Sequence, residues 1–255
     1  MKKIFIITTI LIVSGCSSNS GYKQYYSEYS NVEDRLSNGS LMFIPLKNED
    51  PNLIKVSDAF KTTHSWIEKG YGVLGASSFI GVHENKKYIF KQAKTVKATD
   101  VIYSVNYERQ GISSSCGGQP CGTHSYGIYS QKAVFLAKHT PEVLNNLYNN
   151  TYRIGLIFSD LSKDEKRKNE VNNAAKANTV YDGSPAFNAN IFRGDIITSI
   201  NGSTISDKDD ANAKIKLYAY SERFIPISII RDGKKIDVII DTHSESKEWK
   251  SWEKQ

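Results

Sequence analysis

Tyr181-Asp182-Gly183-Ser184-Pro185-Ala186, followed by Gly194-Asp195-Ile196-Ile197 and then Ile200-Asn201-Gly202, decides the fold class of the second half of this 255-residue chain. Each piece has a mechanical reading. Gly183 can take positive φ at a turn, Ser184-Pro185 suits the opening of a short helix, and Asn201-Gly202 is a hairpin turn. Asn190 is, after glycine, the residue type best able to take a left-handed helix cap. Working outward, strands are expected over 174–181, 195–200, 225–231 and 235–241, the last two joined by Asp232-Gly233. Ser162-Lys163-Asp164-Glu165 is a capping box opening a charged helix to about Val171, and Asp207 caps a helix over 208–220. Short strands with few, capped helices predict a small, partly open β-barrel.

The order and spacing of these pieces resemble the PDZ domains of bacterial envelope proteins, especially those of the high-temperature-requirement proteases, over Tyr152 to Asp241. That resemblance implies a groove in which a peptide adds as a strand beside a sheet edge while backbone amides hold its C-terminal carboxylate. Arg153-Ile154-Gly155-Leu156 fits the family's carboxylate loop. By resemblance, the amides of Ile154, Gly155 and Leu156 hold the carboxylate, Arg153 adds charge, and Ile154, Leu156 and Phe158 shape one wall. Ala211, Ile215 and Tyr218, at i, i+4 and i+7, supply the helix wall. Gly155 lets the loop curl, and Gly155→Val is expected to crowd its amides while leaving the barrel standing.

Ahead of this domain, the composition is that of ordinary globular protein, with 39% hydrophobic residues and no collagen-like or disordered bias. Met1-Lys2-Lys3 and the apolar run Ile4 to Val13 read as a secretion signal, too short to span a bilayer as a helix. Val13-Ser14-Gly15-Cys16 resembles the bacterial lipobox, which implies cleavage before Cys16, acyl chains on it, and attachment to a membrane of the cell envelope. Ser17, in place of aspartate, implies the periplasmic face of the outer membrane if the envelope is Gram-negative. The remaining pair, Cys116 and Cys121, lies in a Ser- and Gly-rich loop of an exported chain and reads as a disulfide. His124 beside it leaves zinc as the alternative, short of a fourth ligand. Neither a cofactor nor a resident metal is expected.

Tyr22, Tyr25, Tyr26, Tyr29, Val32 and Leu36 fall at helical spacing, which predicts an aromatic stripe packed on the following domain. Strands are expected over 41–46, 71–80, 101–107 and 126–137, with helices over 56–69 and around Ile89 to Val96. Gly70 to Phe79 and Val96 to Val101 resemble an N-terminal module of PDZ-bearing bacterial lipoproteins, for which no chemistry is implied. The expected class is α+β: a signal over 1–15, a Tyr-rich tether or helix over 16–40, a small α/β domain over 41–140, a connector over 141–150, the PDZ-like barrel over 151–243 and a polar tail over 244–255.

The net charge of +6 suits a protein beside anionic lipid, and no basic helix, zinc-finger spacing or RNA-binding motif points to nucleic acid. Catalysis lacks its motifs. No Gly-x-Ser-Gly-Gly loop, Gly-x-Ser-x-Gly elbow or His-Glu-x-x-His pair occurs, and the five histidines are scattered. The expected partner is a peptide C-terminus or an envelope protein. A fixed assembly or secretion-system subunit, or a hydrolase using the α/β domain, are the alternatives. The lipobox carries its own test: wild type should incorporate labelled acyl chains and fractionate with membranes, and Cys16→Ala should abolish both. Labelling of the variant would refute the anchor.

Overall fold

A computed structural model describes residues 20–29, 42–115 and 122–254. The expected acylation site at Cys16 and the expected Cys116–Cys121 bridge lie outside the described residues. The chain divides into two compact units, one formed by residues up to 63 together with 72–138, the other by 64–71 together with 139–255.

The first unit is built on five strands: β1 (Tyr26–Glu28), β2 (Asn52–Lys55), β3 (Tyr71–Val82), β4 (Asp100–Ser115) and β5 (Gly122–Lys138), in the order β1-β3-β5-β4-β2. Its backbone is the β4–β5 antiparallel hairpin, which pairs from Asp100↔Leu136 to Ser115↔Gly122 with a bulge between Tyr107 and Arg109. β2 joins β4 in parallel. Among the described residues, three helices accompany the sheet: α1 (Gly21–Gln24), α2 (Ala59–Ile67) and α3 (Lys86–Thr95). Asn85 caps α3 by accepting from the Lys87 amide at 2.9 Å, and Ile89 and Ala93, one turn apart, enter a core with Leu74, Val101, Tyr103 and Phe135.

The described part of the tyrosine stripe is not one helix, and its members Val32 and Leu36 lie outside the described residues. Gly21–Gln24 is helical, whereas Tyr26–Glu28 pairs with β3, Glu28 opposite Gly75 and Tyr26 opposite Ser77. Packing is nevertheless what Tyr22 does: it is fully buried in the unit's core, edge-on to Phe79 at 5.0 Å. Gly75 makes the strand pairing possible, since a Cβ there would strike the Tyr26 ring. The strand expected over 41–46 is reduced to extended chain tied by Ile44 to Lys138 and Leu46 to Lys97.

The second unit carries a six-stranded sheet, β11-β10-β8-β7-β6, with β9 paired to β8. The strands are β6 (Leu156–Asp160), β7 (Ala175–Val180), β8 (Ile196–Ile200), β9 (Ser203–Thr204), β10 (Phe224–Arg231) and β11 (Lys234–Asp241). Helices α4 (Pro141–Asn150), α5 (Lys163–Lys168), α6 (Pro185–Asn188), α7 (Lys208–Tyr218) and α8 (Lys247–Ser251) surround it. The sheet does not close into a barrel, and its inner face is a cluster of isoleucines, alanines and valines. Local chemistry acts as the sequence predicts: Ser162 and Glu165 form the reciprocal capping box of α5, Ser184 caps α6, and Asp207 accepts from the Asp209 and Asp210 amides at the head of α7. Asn190 sits at φ 59°, and Asp232-Gly233 turns the last hairpin at 50° and 76°.

One ion pair ties the Asn190 turn to the sheet. Arg231 bonds both carboxylate oxygens of Asp195 at 2.7 and 2.6 Å and the Asn190 carbonyl at 2.6 Å, while Asp195, 3% exposed, also accepts from the Phe192 amide. This multiply bonded geometry is the kind in which burial of a charge is compensated.

The segment expected as a connector and the segment expected as a polar tail are both structural. Leu144 and Tyr148 of α4 pack with Tyr181 and with Trp249 and Trp252 of the C-terminal segment, a small aromatic core in its own right. Trp249 stacks on Tyr181 at 5.4 Å and meets Trp252 at 4.8 Å. Burial holds the Tyr181 phenol at about 12. Trp249→Ala removes the largest member of this cluster and should destabilise the second unit by about 3–5 kcal/mol. A urea denaturation followed by circular dichroism measures it, and a loss below about 1 kcal/mol would show that the segment only rests on the surface.

Candidate functional site

The expected peptide groove runs from the loop over 151–155, along β6, beside α7. The loop is an unusual piece of backbone. Tyr152, Arg153 and Gly155 all lie in the left-handed region, at φ 50°, 65° and 69°. Three of its carbonyls are engaged: Arg153 accepts from the Trp249 indole N–H at 2.9 Å, Ile154 from the Ala186 amide at 3.0 Å, and Gly155 from the Tyr181 amide at 2.9 Å. Most of its amides are committed too, those of Tyr152 and Arg153 donating to the carbonyls of Asn149 and Tyr148, each at 3.0 Å.

β6 is the last strand of its sheet, and among the described strands none pairs with its outer edge. The Tyr181 to Gly155 bond makes Leu156↔Val180 a non-hydrogen-bonded pair, so the amide of Leu156 points away from β7 and toward that free edge. The amide of Ile154, by contrast, donates to the Thr151 carbonyl at 3.1 Å. Of the three amides expected to receive a carboxylate, that of Ile154 is thus already used within the turn.

The apolar members expected to line the groove are brought together, but inward. Ile154, Leu156, Phe158, Ala211 and Ile215 belong to one buried cluster, with Tyr218 packed against it. Ile154, Ala211 and Ile215 are no more than 1% exposed, so the helix wall and the strand wall meet. At the far end, Asp160 at the close of β6 accepts from both the Lys208 amide, at 3.2 Å, and its ammonium, at 3.1 Å. These bonds hold the Asp160 carboxyl below the usual range and raise Lys208.

Arg153 lies at the other end. Its guanidinium is 2.8 Å from Glu253 and stands over the rings of Tyr148 and Tyr220, at 5.7 and 5.8 Å. Tyr148 in turn donates to Glu245 at 2.7 Å, and burial together with that bond raises its phenol. Trp249, Glu253, Tyr148 and Tyr220 are the residues that sequence reasoning missed. Two tryptophans three residues apart, in an otherwise polar stretch, are the signal that would have found the first of them.

A second concavity of about 240 Å³ lies elsewhere in this unit, with Glu68, Asp182 and Arg193 among half-buried and exposed phenylalanines. Burial pushes both carboxyls upward, and Arg193, 4.0 Å from Glu68, opposes this for that residue. Among the described residues no group of three or more His, Cys, Asp or Glu side chains is placed to hold a metal, and no helix is long and apolar enough to cross a membrane.

Gly155 corrects an expectation. A Cβ there would meet Ser184 and, at 3.1 Å, the Trp249 ring, on a backbone that already requires positive φ. A side chain at 155 therefore disturbs the fold as well as the loop. Gly155→Ala should cost at least about 1–2 kcal/mol, and Gly155→Val more. Denaturation midpoints of the two variants check this, and wild-type stability for Gly155→Val would show that the loop is loosely held.

Residues 153–242 match the family model described as PDZ domain. A curated relative, the probable periplasmic serine endoprotease DegP-like of Marinomonas sp. (strain MWYL1), is 31% identical over 93 residues, 36% of this chain and 19% of the relative. The chain therefore spans only about a fifth of that protein's length. Solved structures with similarity include the HtrA3 PDZ domain bound to a phage-derived ligand, FGRWV, at 20% identity over 34% of this chain and 81% of that one, with a TM-score of 0.30. The PDZ domain of EpsC from Vibrio cholerae matches at 19% identity over 35% and 95%, with a TM-score of 0.26. Residues 153–242 of this chain are a PDZ domain, similar in sequence to that of a DegP-like periplasmic endoprotease.

Proposed function

We propose that this protein is a non-enzymatic, lipid-anchored lipoprotein of the bacterial cell envelope that captures a peptide or protein partner through its PDZ domain. The observation that carries the reading is the outer edge of β6, unpaired among the described strands, with the Leu156 amide turned toward it, beside a loop of left-handed residues and Arg153. A peptide added there gains main-chain bonds along β6 and places its carboxylate near Gly155, Leu156 and Arg153. Phe158 supports the same strand wall, and Ala211, Ile215 and Tyr218 form the face against which the terminal side chain packs.

Three further points support the rest. The segment shared with the relative is 93 residues, 19% of its length, and this sequence has none of the serine- or metalloprotease motifs. The relative is named as periplasmic, which suits an exported chain. The lipobox-like Val13 to Cys16 gives the anchor and, with Ser17, the periplasmic face of an outer membrane.

A second reading, a fixed assembly or secretion-system subunit whose PDZ domain packs without reading a C-terminus, is favoured by the near-complete burial of Ile154, Ala211 and Ile215. The free carboxylate discriminates between the two. Peptides from a C-terminal library with a free apolar end should bind the full chain, and amidation should weaken them roughly 10- to 100-fold, since charge-assisted bonds contribute about 1.5–3 kcal/mol. Equal binding of amidated peptides would favour the fixed subunit.

A further inference from the structure

The C-terminal segment does more than complete the fold. Trp249 donates to the carbonyl of Arg153, and one turn further on Glu253 places a carboxylate 2.8 Å from the Arg153 guanidinium. Arg153 is the cation of the loop that faces a ligand's C-terminus, and its guanidinium is 45% exposed, flanked by Tyr148 and Tyr220. The cation is thus already neutralised, by an acid of the same chain, at the mouth of a groove whose walls are in contact.

We propose that residues 246–254 form an intramolecular latch in which Glu253 holds Arg153 as a stand-in for the carboxylate of a peptide C-terminus. The inference rests on the peptide-capture reading. Ligand binding then exchanges one carboxylate for another at Arg153: the Glu253 pair opens, the guanidinium turns to the incoming carboxylate, and no net charge is buried. The pair is partly exposed on both sides, at 45% and 30%, so its strength is modest and falls with added salt. Trp249 is the fixed part of the latch. Its ring is 1% exposed and its bond to the Arg153 carbonyl survives the exchange, so the loop keeps its shape while its charge becomes available.

The test compares full-length wild type with Glu253→Gln, a substitution that keeps the side chain's size and removes its charge. Both are screened by fluorescence polarisation against the same library of peptides with free apolar C-termini, and hits are repeated as amides. The latch predicts that Glu253→Gln binds free-acid peptides about two- to five-fold more tightly at low salt, that amides bind both proteins alike, and that the difference shrinks as salt rises. It also predicts that Arg153→Gln abolishes the difference. Equal affinity of wild type and Glu253→Gln for the same free-acid hits would overturn the latch and leave peptide capture standing. No hits for either protein, with the Trp249 indole proton still protected from exchange and the domain therefore folded, would overturn both. Unfolding of Glu253→Gln would also overturn the proposal, because a latch must be separable from the fold; Glu253→Asp, which keeps the charge on a shorter arm, checks that outcome independently.

Discussion

The loop from Thr151 to Gly155 runs through the left-handed region at three of its residues, and two of them, Tyr152 and Arg153, carry side chains that disfavour it. Each costs about 1–2 kcal/mol relative to ordinary backbone, so the loop persists only because its surroundings determine it more strongly than its own preferences do. Those surroundings are specific. The carbonyls of Arg153, Ile154 and Gly155 each accept from a different element: the Trp249 indole, the first turn of α6, and the end of β7. Much of the second unit follows from that requirement. The Tyr181-Asp182-Gly183-Ser184 turn must bring Ser184 against Gly155, and the C-terminal segment must fold back so that Trp249 reaches Arg153.

What could be read in the sequence is what has a short-range cause. Ser162 with Glu165, Ser184 with Pro185, Asp207, Asn190 and Asp232-Gly233 each fix backbone by a bond or a dihedral preference within a few residues, and each lies where the sequence put it. The residues expected in the groove are also brought together, since i, i+4 spacing on α7 needs only a helix to be true. What escaped has a long-range cause. Tyr22 to Tyr29 has helical spacing, yet Tyr26–Glu28 pairs with Gly75 to Ser77 of β3, a partner far along the chain that local spacing does not reveal. β2 was invisible because Asn52–Lys55 becomes a strand only by lying parallel to β4. Trp249 looked like part of a polar tail, either frayed or a short helix, and its partners could not be foreseen because Tyr148, Tyr181 and Arg153 lie roughly 70 to 100 residues away in sequence.

The first unit carries its own lesson about reading strands. Alternation suggested that β4 ended near Tyr107, but pairing continues past the bulge to Ser115. The extension is polar and thin, with Tyr126 lying over Gly111 and Tyr129 over Gly127. Aromatic rings covering glycines restore some of the contact that a bare backbone lacks, which lets a two-stranded ribbon run on where serines and glycines offer little strand propensity. The sequence signal for such a ribbon is a Gly beside a Tyr, on the same strand for Gly127 and Tyr129 and across strands for Gly111 and Tyr126, and the second kind becomes visible only once the register is known.

The groove beside β6 is closed by apolar contact in its middle and by an ion pair at each end, Lys208 with Asp160 and Arg153 with Glu253. The two kinds of closure respond to different things. The ion pairs lie at the surface and are weakened by salt over a screening length of about 8 Å at physiological ionic strength. The contact of Ile215 and Ala211 with Leu156 and Ile154 is indifferent to salt and costs about 25 cal/mol per Å² to expose. A terminal valine or leucine, whose burial contributes about 1.5–3 kcal/mol, offsets that exposure by taking the place of the contacts it parts. A charged terminal side chain cannot. Under the proposed peptide capture, selectivity for an apolar last residue would follow from the closed state itself, because only a side chain that restores the lost apolar contact would leave a carboxylate interaction at Arg153 as net gain.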